Sequence, residues 1–365
     1  MPESGAAPPA GWVSARTSPA ATGLGARAAP AGAGEGALAI AVRGLRKNYG
    51  NYQAVRGIDL DVARGEILAF LGPNGAGKTT TVEILEGFRE RTAGDVRVLG
   101  VDSAERGRSL RGRVGVVLQE SAPEARLTVA ECLAMYAGYY DRPLPVERAL
   151  ELVGLTGKQH DRCDRLSGGQ LRRLDMALAL IGDPELIFLD EPTTGFDPSA
   201  RRSAWEVIAS LRELGKTIFL TTHYMDEAEA LADRIVIIAA GRIVATGTPA
   251  TIGGRATEAT TVSFTLPPGL SVSDLPLLPG VPAAATAGAL VPASAAPDAD
   301  GAETAGHGGH ITAGKDGRVE ITHSEHVPIL HALTSWALEQ DHPLTDLSVH
   351  RPSLEEIYLR LTRED

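Results

Sequence analysis

Gly72-Pro-Asn-Gly-Ala-Gly-Lys-Thr79 is the segment whose residue types and spacing are best suited to chemistry. It has the pattern G-x-x-x-x-G-K-[ST], set between a short apolar run, Glu66–Leu71, and a stretch of helical periodicity. Glycines let such a loop wrap an anion with its backbone N–H groups pointing inward. The helix start beyond it adds positive potential. Gly72, Pro73, Asn74, Gly75, Ala76 and Gly77 would cradle a nucleotide's phosphates, with Thr80 beside them. Lys78 would reach the β- and γ-phosphates, and Thr79 would hold Mg²⁺. The bland alternative is a glycine-rich turn, but lysine is scarce here, and one of only five sits in this loop.

Leu186-Ile-Phe-Leu-Asp190-Glu191 is an apolar run that ends in two carboxylates. Strands often end in an acid, so alone it means little. After a phosphate loop, Asp190 becomes a candidate to hold Mg²⁺ through its water shell. Glu191 becomes a candidate general base that polarises the attacking water. Adjacent side chains on a strand point opposite ways, but where the strand ends the backbone turns and both can address one site.

Leu166-Ser-Gly-Gly-Gln170 fits a helix cap, because Ser167 and Gln170 make a capping box. Its glycines leave the helix start uncovered, which suits close approach to phosphate. With this pentapeptide the sequence resembles the ATP-binding cassette (ABC) transporter ATPases, whose signature it is. Further family elements follow in order. Lys47-Asn-Tyr49-Gly50 and Ala54-Val55 resemble the adenine-stacking loop, with Tyr49 as the ring and Tyr52 as a competitor. Val117-Leu-Gln119-Glu120 resembles the Q-loop, Phe196-Asp197-Pro198 the D-loop, and Thr221-Thr-His223 the switch-histidine loop. Lys78 to Ser167 spans 89 residues, Ser167 to Asp190 spans 23, and Asp190 to His223 spans 33, which also fits the family. Phe196 stands where leucine is common and Leu171 where a basic residue is common; neither change removes a catalytic group.

The resemblance implies a mechanism. Two nucleotide domains pair head to tail, with ATP between the phosphate loop of one and the signature of the other. This chain has one of each, so it would pair with a second copy or with a related subunit. Ser167, Gly168, Gly169 and Gln170 would then bind the nucleotide in trans. Gln119 would sense Mg²⁺ and the attacking water, Asp197 would help couple the two sites, and His223 would contact the γ-phosphate. The catalytic set implied is Lys78, Gln119, Glu191 and His223, and the metal set Thr79, Gln119 and Asp190.

Thr193–Pro198, Thr221–Glu229 and Pro352–Leu361 together resemble ATP-binding subunits of ABC-2-type exporters, including the daunorubicin-resistance-like drug efflux ATPases. That implies a peripheral subunit on the cytoplasmic face of the cell membrane. It would power export of a drug, lipid or polymer through a separate permease. An importer ATPase shares every catalytic motif and stays open. A soluble ABC ATPase acting on DNA or ribosomes would bring long coiled-coil insertions, zinc modules or a second cassette, and none is seen.

These residues need a scaffold. Ala39–Val42, Ile58–Val62, Glu66–Leu71, Val114–Leu118, Leu186–Asp190, Thr217–Thr221 and Ile235–Ala239 read as strands. Helices are expected after the phosphate loop, with Val82, Leu85 and Phe88 on one face, from Thr128 through Tyr139, onward to about 180, and over Ser199–Leu214. Strands alternating with helices imply an α/β protein with a largely parallel sheet. The resemblance makes it a P-loop NTPase of the ABC ATPase type: a parallel core sheet, an antiparallel β subdomain and an α-helical subdomain. Residues 38–255 form that cassette, preceded by an Ala/Gly/Pro-rich tail, 1–37, expected to be disordered. A linker at 250–260 leads to a small C-terminal α/β domain, 256–365. Its expected strands are Thr261–Leu266, Arg318–Thr322 and Leu347–Val349, its helices Ile329–Leu338 and one capped at Ser353, with a disordered insertion near 277–310.

Composition sets the outer bounds. The 365 residues carry a net charge of −11, yet 38–255 holds 28 basic and 29 acidic groups while 256–365 holds 5 and 15. A near-neutral cassette argues against a nucleic-acid partner. Cys132 and Cys163 are the only cysteines, too few for a disulfide scaffold. No apolar run approaches 18 residues, and the first 36 lack the layout of a secretory signal. Seven of the nine histidines lie in the last third at irregular spacing, which favours solvated side chains over a metal site.

Overall fold

The computed structural model describes residues 38–105, 107–117, 124–255, 259–281, 310–314 and 317–363. The expected N-terminal tail, most of the expected insertion and Gln119 lie outside these described residues. In chain order, β1 (Leu38–Tyr49) and β2 (Tyr52–Ala63) form a long antiparallel hairpin. β3 (Ile67–Leu71) follows, then α1 (Lys78–Leu85), β4 (Ala93–Val98) and β5 (Val101–Asp102). Next come α2 (Arg108–Arg111), β6 (Val114–Val117), α3 (Val129–Ala137), α4 (Val146–Leu152) and α5 (Gly168–Leu180). β7 (Leu186–Asp190), α6 (Pro198–Glu213), β8 (Thr217–Thr221), α7 (Met225–Leu231), β9 (Arg234–Ala239) and β10 (Arg242–Gly247) complete the larger body. β11 (Thr260–Thr265), β12 (His310–Ala313), β13 (Arg318–His323), α8 (His326–Glu339), β14 (Thr345–His350) and α9 (Leu354–Thr362) end the chain.

The central sheet has the order β10-β9-β3-β8-β7-β6, parallel except for β10. Every residue of β3 and β8 is buried, so their continuous apolar runs are those of strands covered on both faces. Parallel strands put their C-terminal ends on one edge, where ligands of open α/β sheets bind. The phosphate loop, the Asp190-Glu191 pair and the switch histidine leave from the adjacent ends of β3, β7 and β8. A second sheet, β2-β1-β4-β5, is antiparallel. Helices α3, α4 and α5 share one apolar cluster through Val129, Leu133, Ala149, Leu150 and Leu174. Thr128–Glu131, Ser167–Gln170 and Ser353–Glu356 all close as capping boxes.

Several expectations need correcting. Phe88 does not join the apolar face of α1, because the helix stops at Leu85 and Phe88 is 65% exposed. The helix opened by Thr128 ends at Ala137, before Tyr139. The stretch read as a linker packs Ile252 at 0% exposure, on a short helical turn. The expected insertion begins too early, because Leu278 is buried in the core of the smaller sheet, and it runs too late, because His310 already belongs to β12. β4, β5, β10, β12, α2 and α7 are additional elements. β14 forms where expected, with all six residues exposed.

The smaller sheet, β12-β13-β11-β14, is antiparallel and packs Val262, Phe264, Val319 and Ile321 against Ile329 and Leu333 of α8. α9 does not join it. Leu354 shares a cluster with Ala69, Leu71, Ile235, Ile237 and Ile252, so the last helix closes over β3 and β9 of the central sheet. Among the described residues no helix is long and apolar enough to cross a membrane.

Candidate active site

β3 delivers the chain into the phosphate loop, and Gly77 starts α1 in the left-handed region at φ 101°. A Cβ there would stand 2.6 Å from the Ala54 carbonyl oxygen, so the loop needs glycine for both conformation and space. Gly72 is buried and Ala76 packs its methyl into the core, while Asn74, Gly75 and Thr79 face outward. Lys78 Nζ donates to the Gly72 carbonyl at 2.6 Å and to the Pro73 carbonyl at 3.1 Å, folded over its own loop. Burial lowers its pKa, while the charges of Glu191 and Asp190 oppose that shift.

A cavity of about 330 Å³ is lined by Tyr49, Tyr52, Ala54, Asn74, Gly75, Gly77, Lys78, Thr79, Thr80, Asp190 and Glu191. The structure therefore brings most of the expected phosphate and metal residues around one space. Both tyrosines border it. Tyr52 donates its hydroxyl to the Gly75 carbonyl at 3.3 Å. Tyr49 has Lys47 Nζ and the Arg89 guanidinium 5.1 and 5.5 Å from its ring centre.

At the end of β7, Asp190 accepts a hydrogen bond from Thr221 Oγ1 of β8. Glu191 turns the chain at φ 47°, a left-handed conformation rare for a non-glycine residue. Its N–H donates to the Thr221 carbonyl at 3.0 Å, and its carboxylate accepts from Thr194 Oγ1 at 3.2 Å. The same carboxylate oxygen lies 3.3 Å from His223 Nδ1. His223 is exposed and its ring meets that of Tyr224 at 4.1 Å, while the Arg201 guanidinium covers Tyr224 at 3.8 Å. Thr79 and Asp190 both line the cavity and offer hard oxygen donors, a set that suits Mg²⁺.

Ser167–Gln170 and Asp197 are not brought to this cavity. They border a separate space of about 1110 Å³, with Thr194, Gly195 and Phe196 among its other walls. The two cavities have no lining residue in common. Ser167 accepts from the Gln170 N–H at 3.3 Å, and Asp197 caps α6 by accepting from the N–H groups of Ser199 and Ala200. A Cβ on Gly168 would meet nothing within 4 Å, so nothing inside the chain demands glycine there.

The chain's likeness to known proteins shows which family carries these two cavities. A family model described as "ABC transporter" matches residues 55–194. The chain is 43% identical over 219 residues, 59% of its own length and 72% of the relative's, to Nod factor export ATP-binding protein I of Paraburkholderia xenovorans. The chain belongs to the ABC transporter ATP-binding proteins. Among solved structures, cbiO1 from Clostridium perfringens, part of an ABC transporter complex, aligns with TM-score 0.54 at 28% identity, covering 58% of this chain and 89% of that one. A dimeric ATP-binding cassette bound to ADP and Pi has the same fold, with TM-score 0.52 at 23% identity over 57% of this chain and 98% of that one.

This ABC ATPase also uses residues that the motifs do not announce. Arg172, buried on α5, donates to the carbonyls of Asp190, Glu191 and Pro192. Glu227, fully buried on α7, accepts from Thr193 Oγ1 at 2.8 Å and from Trp205 Nε1 at 3.0 Å. It thereby ties the turn after Glu191 to α6. Among the described residues no group of three metal-binding side chains forms, in the histidine-bearing last third or elsewhere.

Proposed function

We propose that two of these chains, or one chain and a related subunit, pair head to tail. Each ATP then lies between the phosphate loop of one cassette and the signature of the other. The observation that carries this reading is the separation of the two cavities within one chain, with bare glycines at the start of the signature helix. Gly72–Gly77 and Thr80 hold phosphates through main-chain N–H groups, Lys78 neutralises the γ-phosphate, and a tyrosine ring, Tyr49, takes the adenine by stacking. Thr79 and Asp190, with Gln119, would hold Mg²⁺, which when bound would supply neutralisation of the phosphate charge. Glu191 accepts the proton of a water that attacks the γ-phosphorus, the bond to the β-phosphate oxygen breaks, and ADP and phosphate leave. His223, next to Glu191, orients that carboxylate and reaches the γ-phosphate. Ser167, Gly168, Gly169 and Gln170 close the site from the partner, and Asp197 stands between the two sites.

The transport direction is export, through a separate ABC-2-type permease of the kind that serves daunorubicin-like efflux. The exporter names of the relatives support this, as do the exporter-like segments around Thr193, Thr221 and Pro352. The chain then works on the cytoplasmic face of the membrane. The test is purification from native membranes, followed by mass spectrometry and reconstitution. The expected result is a co-purifying membrane protein with about six apolar spans that moves a cargo away from the ATPase side when ATP is present. Uptake toward the ATPase side would overturn the export reading.

A further inference from the structure

Arg172 lies one turn into the helix that begins at the signature. Its Nε donates to the Pro192 carbonyl at 3.1 Å, and a terminal nitrogen donates to those of Asp190 and Glu191 at 3.0 and 3.3 Å. Three successive main-chain carbonyls of one turn are thus gripped by one guanidinium. This is the turn that places Glu191 at φ 47°. A planar guanidinium presents its donors in a fixed fan, whereas an ammonium on a flexible stem cannot reproduce it. Asp175, further along the same helix, stands 3.8 Å from the guanidinium and offsets its charge. Ser167 and Arg172 are five residues apart, about 7.5 Å along the axis at 1.5 Å per residue. A shift of the signature helix therefore has a short, rigid route to the Glu191 turn.

We propose that Arg172 is a positioning residue that ties the signature helix to the Glu191 turn, so that nucleotide held by the signature for one site sets the base of the other. The inference rests on the head-to-tail pairing above. In that pair the signature of a chain faces the partner's nucleotide, while Glu191 of the same chain serves its own. Arg172 joins the two within one polypeptide.

The experiment uses the full chain with Arg172→Lys and Arg172→Gln, measured for turnover, ATP affinity and thermal unfolding. Arg172→Lys should stay fully folded at the assay temperature and hold ATP within about twofold of wild type. Its kcat should nevertheless fall at least about tenfold, as for loss of orientation at a reacting centre. The Hill coefficient for ATP should lie above 1 in the wild type and drop to 1 in Arg172→Lys. Should Arg172→Gln fail to fold, Arg172→Lys decides alone. Wild-type turnover by Arg172→Lys, a kcat loss matched by lost affinity or lost folded protein, or a wild-type Hill coefficient of 1 would overturn the proposal. The pairing has its own readout: a Glu191→Gln protein that stays monomeric with ATP refutes it whatever Arg172 does.

Discussion

Lys78 folds over the carbonyls of Gly72 and Pro73, so its ammonium is already aimed at the space the loop encloses. Lys78→Ala should weaken ATP binding by about 10- to 100-fold, the usual cost of losing a charge-assisted hydrogen bond. Equilibrium dialysis checks it, and unchanged affinity contradicts the role. Glu86, at the C-terminal end of α1, gives a pH prediction. Burial, reinforced by the charges of Asp190 and Glu83, pushes its carboxyl from the ordinary 4.5 up to about 8. Folding therefore favours its neutral form. That stability is fully present below about 4.5 and is lost as pH rises through about 8. Glu86→Gln should raise the unfolding free energy measured by urea titration by roughly 1–3 kcal/mol at about pH 9 and change it little at about pH 5. Equal effects at both would contradict the assignment. That Lys78, Asp190 and the glycines of the loop would meet around one cavity was legible, because a glycine-rich loop between strand and helix fixes their places, whereas His223 stood out only through the family resemblance. Arg172 and Glu227 were not legible, because their partners are backbone carbonyls and side chains set by tertiary packing.

At the level of elements, the strands of the central sheet could be read because burial on both faces leaves continuous apolar runs. β10 was missed because an edge strand with alternating exposure, Arg242–Gly247, has too few apolar residues to stand out. The capped last helix was also legible, but the surface it covers was not. Leu354 and Ile357 are each 1% exposed, and Leu354 meets β3 and β9 rather than the smaller sheet. The helix therefore helps hold the strand that feeds the phosphate loop. Ile357→Ala should destabilise the cassette by about 2–4 kcal/mol, as for other buried aliphatic truncations. Leu359, 40% exposed on the same helix, should cost far less when replaced by alanine. Urea unfolding of both variants checks this, and equal midpoints would show that the helix contributes nothing to the cassette.

For the whole molecule, the net charge of −11 resolves into a near-neutral ATPase body and an acidic last third. The acidity lies beyond every catalytic motif and places no constraint on the phosphate chemistry. The feature that bears on the whole molecule is instead the separation of the two cavities within one chain, which the proposed head-to-tail pairing would join across two. If ATP joins two cassettes and hydrolysis parts them, removing only the base should trap the joined state. The most direct measurement is light-scattering mass of Glu191→Gln with Mg²⁺ and ATP. The account predicts a stable dimer with ATP, a monomer with ADP, and no turnover; a protein that remains monomeric with ATP, or that hydrolyses it at the wild-type rate, would contradict it.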